Sequence, residues 1–207
     1  MLTIKPSKHK KLKKLYVDDV FLGAIPESFL KSEFYLNPET EIPSEYLKTI
    51  KLYVTQTAKN KLLEYLAKAE KTVYDCKIYL KKNEIPNNII DYVIKEAQDN
   101  KWLSDERYAF FYTEESILNG KSPLEIKHKL MLKRICPKII DKAIKKFYSK
   151  DTQQDVIKEI INNLINRNTE LSEDKLFEKI ATTLYRKGFS YHQYEEYLKI
   201  AMISATD

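Results

Sequence analysis

The side chains that could do chemistry are few and scattered. Histidines stand at His9, His128 and His192, cysteines at Cys76 and Cys136, and adjacent acids at Asp105-Glu106 and Glu114-Glu115. A hydrolytic metal centre needs imidazoles, thiolates and carboxylates clustered at ligand spacing, as in H-E-x-x-H on one helical face. No such motif is present. His128 and His192 read instead as surface or boundary residues of helices, and His9 belongs to a Lys-rich start. The acid pairs fall at helix starts and exposed faces, where capping and solvation account for them. There is no G-x-S-x-G turn to present a nucleophile. With only Gly23, Gly120 and Gly188, neither a dinucleotide fingerprint nor a Walker A loop can be built. The chain is expected not to be an enzyme, with no catalytic residue, no metal and no cofactor.

Charge is the chemistry that remains. The 207 residues carry 36 Lys and Arg against 30 Asp and Glu, a net +6 that is unevenly spread. Residues 1–14 hold six Lys and no acid, and residues 15–120 hold 13 basic and 18 acidic side chains. Residues 121–150 then hold ten basic and two acidic ones, followed by seven and ten in residues 151–207. A block this basic sets up a local field that attracts acidic protein surface or phosphate. Its Lys121, Lys127, Lys129, Lys133, Arg134, Lys142, Lys145 and Lys146 form the expected partner-binding set, although helical periodicity keeps them from sharing one face. The bland reading of the same block is a solvated Lys-rich surface.

No apolar stretch follows the Lys-rich start, and none approaches the roughly 18 apolar residues of a membrane span, so neither a signal peptide nor a membrane segment is expected. Cys76 and Cys136 lack a C-x-x-C arrangement and lie in apolar helical surroundings. Both are expected as buried, reduced thiols of a cytoplasmic protein.

The elements that must position the basic block follow from periodicity. Lys11–Val17 and Val20–Ile25 are β-compatible runs joined at Asp18-Asp19, which predicts a small hairpin; Pro26, Pro38 and Pro43 then punctuate an irregular linker. From Ser44 the pattern is helical, with Leu62, Leu63, Leu66 and Ala69 as an amphipathic stripe. Sliding Lys71–Lys95 by 50 positions onto Lys121–Lys145 brings nine identities into register without a gap, among them Leu80 with Leu130, Ile90 with Ile140 and Asp91 with Asp141. A third copy lies 104 positions on, where Leu80, Ile85 and Ile90 meet Leu184, Phe189 and Tyr194. Ser122-Pro123-Leu124-Glu125 and Ser190-Tyr191-His192-Gln193 are capping boxes, and Gly188 is a left-handed helix stop. Tyr79, Tyr92, Phe147 and Tyr197 fall at core positions of this frame. Trp102 and Leu103 read as a hydrophobic staple before a helix capped by Ser104.

The predicted fold is therefore mainly α: tandem three-helix, helix-turn-helix-like repeats in an elongated array, preceded by a small N-terminal β-hairpin. Its parts are a basic segment with hairpin and linker over 1–50, then repeats over 51–100, 101–150 (the basic one) and 151–207.

Trp102-Leu103-Ser104-Asp105-Glu106-Arg107-Tyr108-Ala109 resembles the leucine–acidic–aromatic–alanine signature of the RecX family. The stretch Glu115–Ile135, with Asn119-Gly120-Lys121-Ser122-Pro123, is similar to that family's second block, and Arg186-Lys187-Gly188-Phe189-Ser190 to its C-terminal Arg-Gly-Phe block. The hairpin around Tyr16–Leu22 resembles members with an N-terminal extension, so the likeness covers nearly the whole chain in order. It marks Trp102, Leu103, Asp105, Ala109, Gly120, Arg186, Gly188 and Phe189 as motif positions with structural roles. Two departures stand out: the family's usual Lys-Gly is Asn83-Glu84 in the first repeat and Lys133-Arg134 in the second, and acids precede Asn119-Gly120 where a basic residue is usual. The resemblance implies a monomeric regulator that binds the filament of the RecA recombinase on single-stranded DNA and suppresses its ATP hydrolysis and strand exchange, in recombination, repair and the SOS response, with direct single-strand contact an open matter and no membrane involved. A helical protein acting directly on DNA or RNA is the alternative, and a plain protein adaptor a third reading.

Overall fold

The computed structural model describes residues 2–33 and 44–204. Pro38 and Pro43, part of the expected linker, lie outside the described residues. The chain divides at Ser104 into two compact units, each taken by itself below.

The first unit opens with an antiparallel sheet of three strands in the order β1 (Leu2–Pro6), β2 (Leu12–Val17) and β3 (Val20–Pro26). β2 and β3 turn at Asp18-Asp19, both left-handed with φ of 47° and 61°. Positive φ at both central residues is the type I′ geometry whose twist suits a two-residue hairpin. The Lys-rich start extends the expected hairpin by one strand, pairing Thr3 with Tyr16 and Lys5 with Lys14. Lys5 on this edge strand discourages pairing with other chains.

Helices α1 (Glu27–Glu33), α2 (Ser44–Leu66), α3 (Val73–Lys82) and α4 (Asn87–Asp99) follow. Sheet and helices share one core, to which Leu15 and Ile25 come from the strands, Ile50, Val54, Ala58 and Leu62 from α2, and Leu80, Ile90 and Val93 from α3 and α4. The buried side of α2 thus recurs every fourth residue, and this corrects the expected stripe. Leu63 is 44% exposed, and Ala69 lies beyond the helix end at Leu66. The backbone at Gly23 runs so close to α2 that a Cβ there would sit 2.8 Å from a Val54 methyl.

The second unit is all helix: α5 (Asp105–Leu118), α6 (Pro123–Leu132), α7 (Pro137–Phe147), α8 (Lys150–Arg167), α9 (Glu173–Arg186) and α10 (Tyr191–Ser204). Ala109, Ile126, Leu130, Ile140 and Ala143 pack one core among α5, α6 and α7. Val156, Ile157, Ile180, Leu184 and Leu198 pack a second among α8, α9 and α10, and Ile117 and Tyr148 touch both. The Tyr148 hydroxyl is buried with no hydrogen-bond partner among the described residues, and burial pushes its pKa up.

The repeat read from the sequence is geometric. α3 and α6 start and end 50 positions apart, and α4 and α7 start 50 apart. Even an ion pair is copied: Lys77 meets Asp91 at 2.7 Å, and Lys127 meets Asp141 at 3.2 Å. In the third copy Ala181 stands at the lysine position, and Glu195 pairs with Lys199 instead. Ser122 and Glu125 form the expected reciprocal capping box. Gln193 accepts from the Ser190 N–H at 2.7 Å.

Each copy also turns between its last two helices on one left-handed residue: Glu84 at φ 58°, Arg134 at φ 60° and Gly188 at φ 88°. An L-residue pays roughly 1–2 kcal/mol for that conformation, which glycine adopts freely. Arg134 is exposed, and no described residue engages its side chain. Arg134→Gly is therefore expected to stabilise the second unit by about 1 kcal/mol, read as a rise in the urea midpoint; an unchanged or lowered midpoint would refute it.

Two aromatic and cysteine expectations are corrected. Tyr92 is 56% exposed on α4 rather than in the core, with the Lys59 ammonium 5.4 Å from its ring centre. Cys76 is buried, but Cys136 is exposed, because it caps α7 and faces outward before Pro137. Tyr79 stacks on Tyr65 at 4.2 Å, Phe147 meets Phe110 edge-on at 5.7 Å, and Tyr197 packs against the α8–α10 core.

Candidate functional site

The described residues hold no group of three or more His, Cys, Asp or Glu placed to bind a metal. His9, His128 and His192 are all exposed. An open groove of about 540 Å³ between α8 and α10 is lined by Ile161, Ile165, Ile200 and Ala201 with Lys158, Asn162 and Tyr197. Its lining holds no carboxylate, thiol or imidazole.

The eight basic residues of the expected set fall on α6, α7 and the turns flanking α6, and the fold sorts them. Lys121 lies over the Tyr112 ring at 5.3 Å and Lys127 is spent on Asp141, so neither leads a free face. Lys142 pairs with Glu106 while lying 5.8 Å from the Phe110 ring centre. Lys146 sits 4.6 Å from Phe110 and 4.9 Å from Phe147, a geometry in which the ring quadrupole attracts the cation. Lys129, Arg134 and Lys145 are exposed and have no carboxylate partner among the described residues; Lys133 is half-buried at the end of α6.

Helical geometry brings part of this set together with one residue the sequence reading left out. With Ile140 and Ala143 buried, the opposite side of α7 carries Lys138, Lys142 and Lys145 at the i, i+4, i+7 spacing of a single stripe. Lys138 was legible as the first member of that spacing. The other copies show that the fold does not require it. At the same three positions α4 carries Asn88, Tyr92 and Lys95, and α10 carries His192, Glu196 and Lys199.

The motif positions distribute differently. Leu103 is buried in the first unit's core, while Trp102 is 49% exposed rather than stapled beneath the helix. Asp105 opens α5, where a carboxylate faces the positive end of the helix dipole. Ala109 and Phe189 are buried, Gly120 ends α5 at φ 65°, and Arg186 is exposed at the end of α9.

Around Gly188 the two helical groups of the second unit are locked. A Cβ on Gly188 would stand 2.6 Å from the Leu124 side chain at the start of α6. Beside it the Lys187 ammonium reaches both carboxylate oxygens of Glu125, at 3.0 and 2.9 Å. Burial works to raise the Glu125 pKa, but the Ser122 N–H and the Lys187 ammonium outweigh it and hold the carboxyl below its ordinary value. Nothing in the spacing of 62 residues announced this pair.

Three-helix repeats behind a small antiparallel sheet define a helical-repeat protein. No protein-family model matches the chain. The chain is 33% identical over 163 residues to the regulatory protein RecX of Streptococcus uberis, across 76% of this chain and 61% of that protein. It therefore spans about three fifths of that relative's length. The regulatory protein RecX of Streptococcus pneumoniae is 30% identical over 193 residues, across 91% of this chain and 73% of the relative. A crystal structure of a regulatory protein RecX superposes with a TM-score of 0.67 at 25% identity, covering 94% of this chain and 98% of the other. The chain belongs to the RecX family of regulatory proteins. No helix of the described residues is long and apolar enough to cross a membrane.

Proposed function

We propose that this chain is a cytoplasmic, non-enzymic regulator that binds a RecA-type recombinase assembled on single-stranded DNA and suppresses its ATP hydrolysis and strand exchange. Family membership supports a regulatory role, and the cation stripe on α7 carries the choice of surface. Cations held on one helical side meet an acidic protein face or phosphate over a contact area that scattered lysines cannot match. The full stripe occurs in only one of the three copies: the last position is lysine in all of them, but the first two are Asn88 and Tyr92 in α4 and His192 and Glu196 in α10.

The experiment is a titration of recombinase ATPase on single-stranded DNA. Inhibition is expected at concentrations well below that of the recombinase. The double variant Lys138→Glu/Lys145→Glu, which breaks no ion pair, is expected to need about tenfold more protein for half-inhibition. Unchanged inhibition would remove the stripe from the interface. A second reading, direct binding of nucleic acid, draws on the Lys146–Phe110–Phe147 cluster, because cation–aromatic surfaces suit single strands. Under that reading, added free single strand abolishes the inhibition by competition.

A further inference from the structure

We infer that the outward side of α6 is a protein-docking ridge, whose occupant is a segment of the recombinase carrying both apolar and acidic side chains. This rests on the regulatory reading above and names the chemistry of its contact.

Opposite the buried Ile126 and Leu130, α6 presents Leu124, His128, Met131 and Leu132 to solvent. Leu124 is 54%, Met131 52% and Leu132 57% exposed, and their i, i+4, i+7, i+8 spacing makes one continuous ridge. Leu124 packs in part against Gly188, but packing within the fold does not explain Met131 and Leu132. At the positions of Met131 and Leu132, α3 carries Lys81 and Lys82, and α9 carries Tyr185 and Arg186. The same helix in the same setting thus tolerates lysine at both places.

The charges beside the ridge choose its occupant. Lys129 follows on its flank and Arg134 just beyond its end, both exposed and neither with a carboxylate partner among the described residues. A nucleic-acid backbone would use the cations but leave three aliphatic side chains against phosphate and water, because phosphate recognition runs on cations and N–H donors. Methionine and leucine also lack the π face on which unpaired bases stack. A helix or loop bearing aliphatic groups flanked by Asp or Glu satisfies both halves of the surface at once, the mode in which an amphipathic segment docks on a groove or ridge.

The deciding variant is Met131→Lys/Leu132→Lys, which installs the side chains α3 already carries at these positions. It removes apolar surface and adds two positive charges, so the two kinds of occupant respond with opposite signs. On the protein reading, the concentration for half-inhibition of recombinase ATPase rises by about tenfold or more, while anisotropy of a labelled single-stranded oligonucleotide shows binding equal to or tighter than that of the wild type. Met131→Ser/Leu132→Ser should weaken inhibition as well, with far-UV circular dichroism unchanged for both. Inhibition equal to or stronger than wild type in the lysine variant, with tighter oligonucleotide binding, would overturn the ridge as a protein contact and leave the regulatory reading standing. A wild-type protein that fails to inhibit the recombinase would overturn the regulatory reading, and this inference with it.

Discussion

Replacing Gly188 by alanine is expected to cost the second unit about 3 kcal/mol. Two effects add. The φ of 88° lies where a Cβ is strained, and the new methyl would stand 2.6 Å from Leu124 Cδ2 and 2.9 Å from its Cβ. Rotating the leucine moves only the first of those atoms, so backbone must shift where α6 meets the end of α9. Gly120→Ala isolates the conformational share. Its φ is 65°, but nothing lies within 4 Å of the added carbon, so the cost should be about 1 kcal/mol. Amide hydrogen exchange of the full chain provides the measurement, with protection lost across α6, α9 and α10 for Gly188→Ala and little changed for Gly120→Ala. Equal effects of the two would show that the Leu124 contact carries no weight.

Neutralising Glu84 is expected to cost the first unit about 2 kcal/mol at neutral pH and nothing in acid. The residue is 8% exposed, and its carboxylate accepts from the Ser7 hydroxyl, from the Lys8 N–H at 3.4 Å and from the Lys14 ammonium at 3.1 Å. Burial acts to raise its pKa, yet those donors and the Lys14 charge outweigh it and hold the carboxyl below the ordinary glutamate value. A folded pKa lowered in this way contributes stability that is present above the unfolded carboxylate range and lost as the pH falls through the folded value. Glu84→Gln should therefore separate from wild type in urea unfolding at pH 7, and the two curves should converge below the carboxylate range. A gap that persists in acid would mean that packing, not charge, makes the contact. Unlike Arg134→Gly, glycine at Glu84 should not stabilise, since relief of backbone strain is offset by loss of the whole carboxylate cluster.

These two residues mark the boundary of what could be read from the chain alone. Patterns that are local or that repeat at fixed offset were legible: the Asp18-Asp19 turn, the capping box at Ser122 and the register of Leu80, Leu130 and Leu184. The first strand was not, because its Leu2–Ile4 alternation lies in a segment of only five residues that ends at Pro6, beside the Lys-rich run that follows. Tyr92 was misplaced since an aromatic at the rim of a repeat satisfies the same periodicity as one inside it. The expected eight-residue basic set was coarser than the surface. Two of its members pair with Asp141 and Glu106, and it left out Lys138, whose i, i+4, i+7 spacing with Lys142 and Lys145 was there to be read. Glu84 with Ser7 and Glu125 with Lys187 meet across 77 and 62 residues, and no spacing rule anticipates partners that only the tertiary fold brings together.

The turn that ends the first paired helix of each copy has a meaning of its own. One vertex of the backbone, left-handed in every copy, is occupied by Glu84, Arg134 and Gly188. At the first, the side chain anchors a sheet; at the second, it is left to solvent; at the third, its removal lets another helix come close. Tandem duplication delivers three identical building blocks, and blocks that stay identical can only stack. Here a single joint residue differs in each copy and sets what the turn can touch: a sheet, solvent or another helix. The same joint thus does three different things in three copies of one turn.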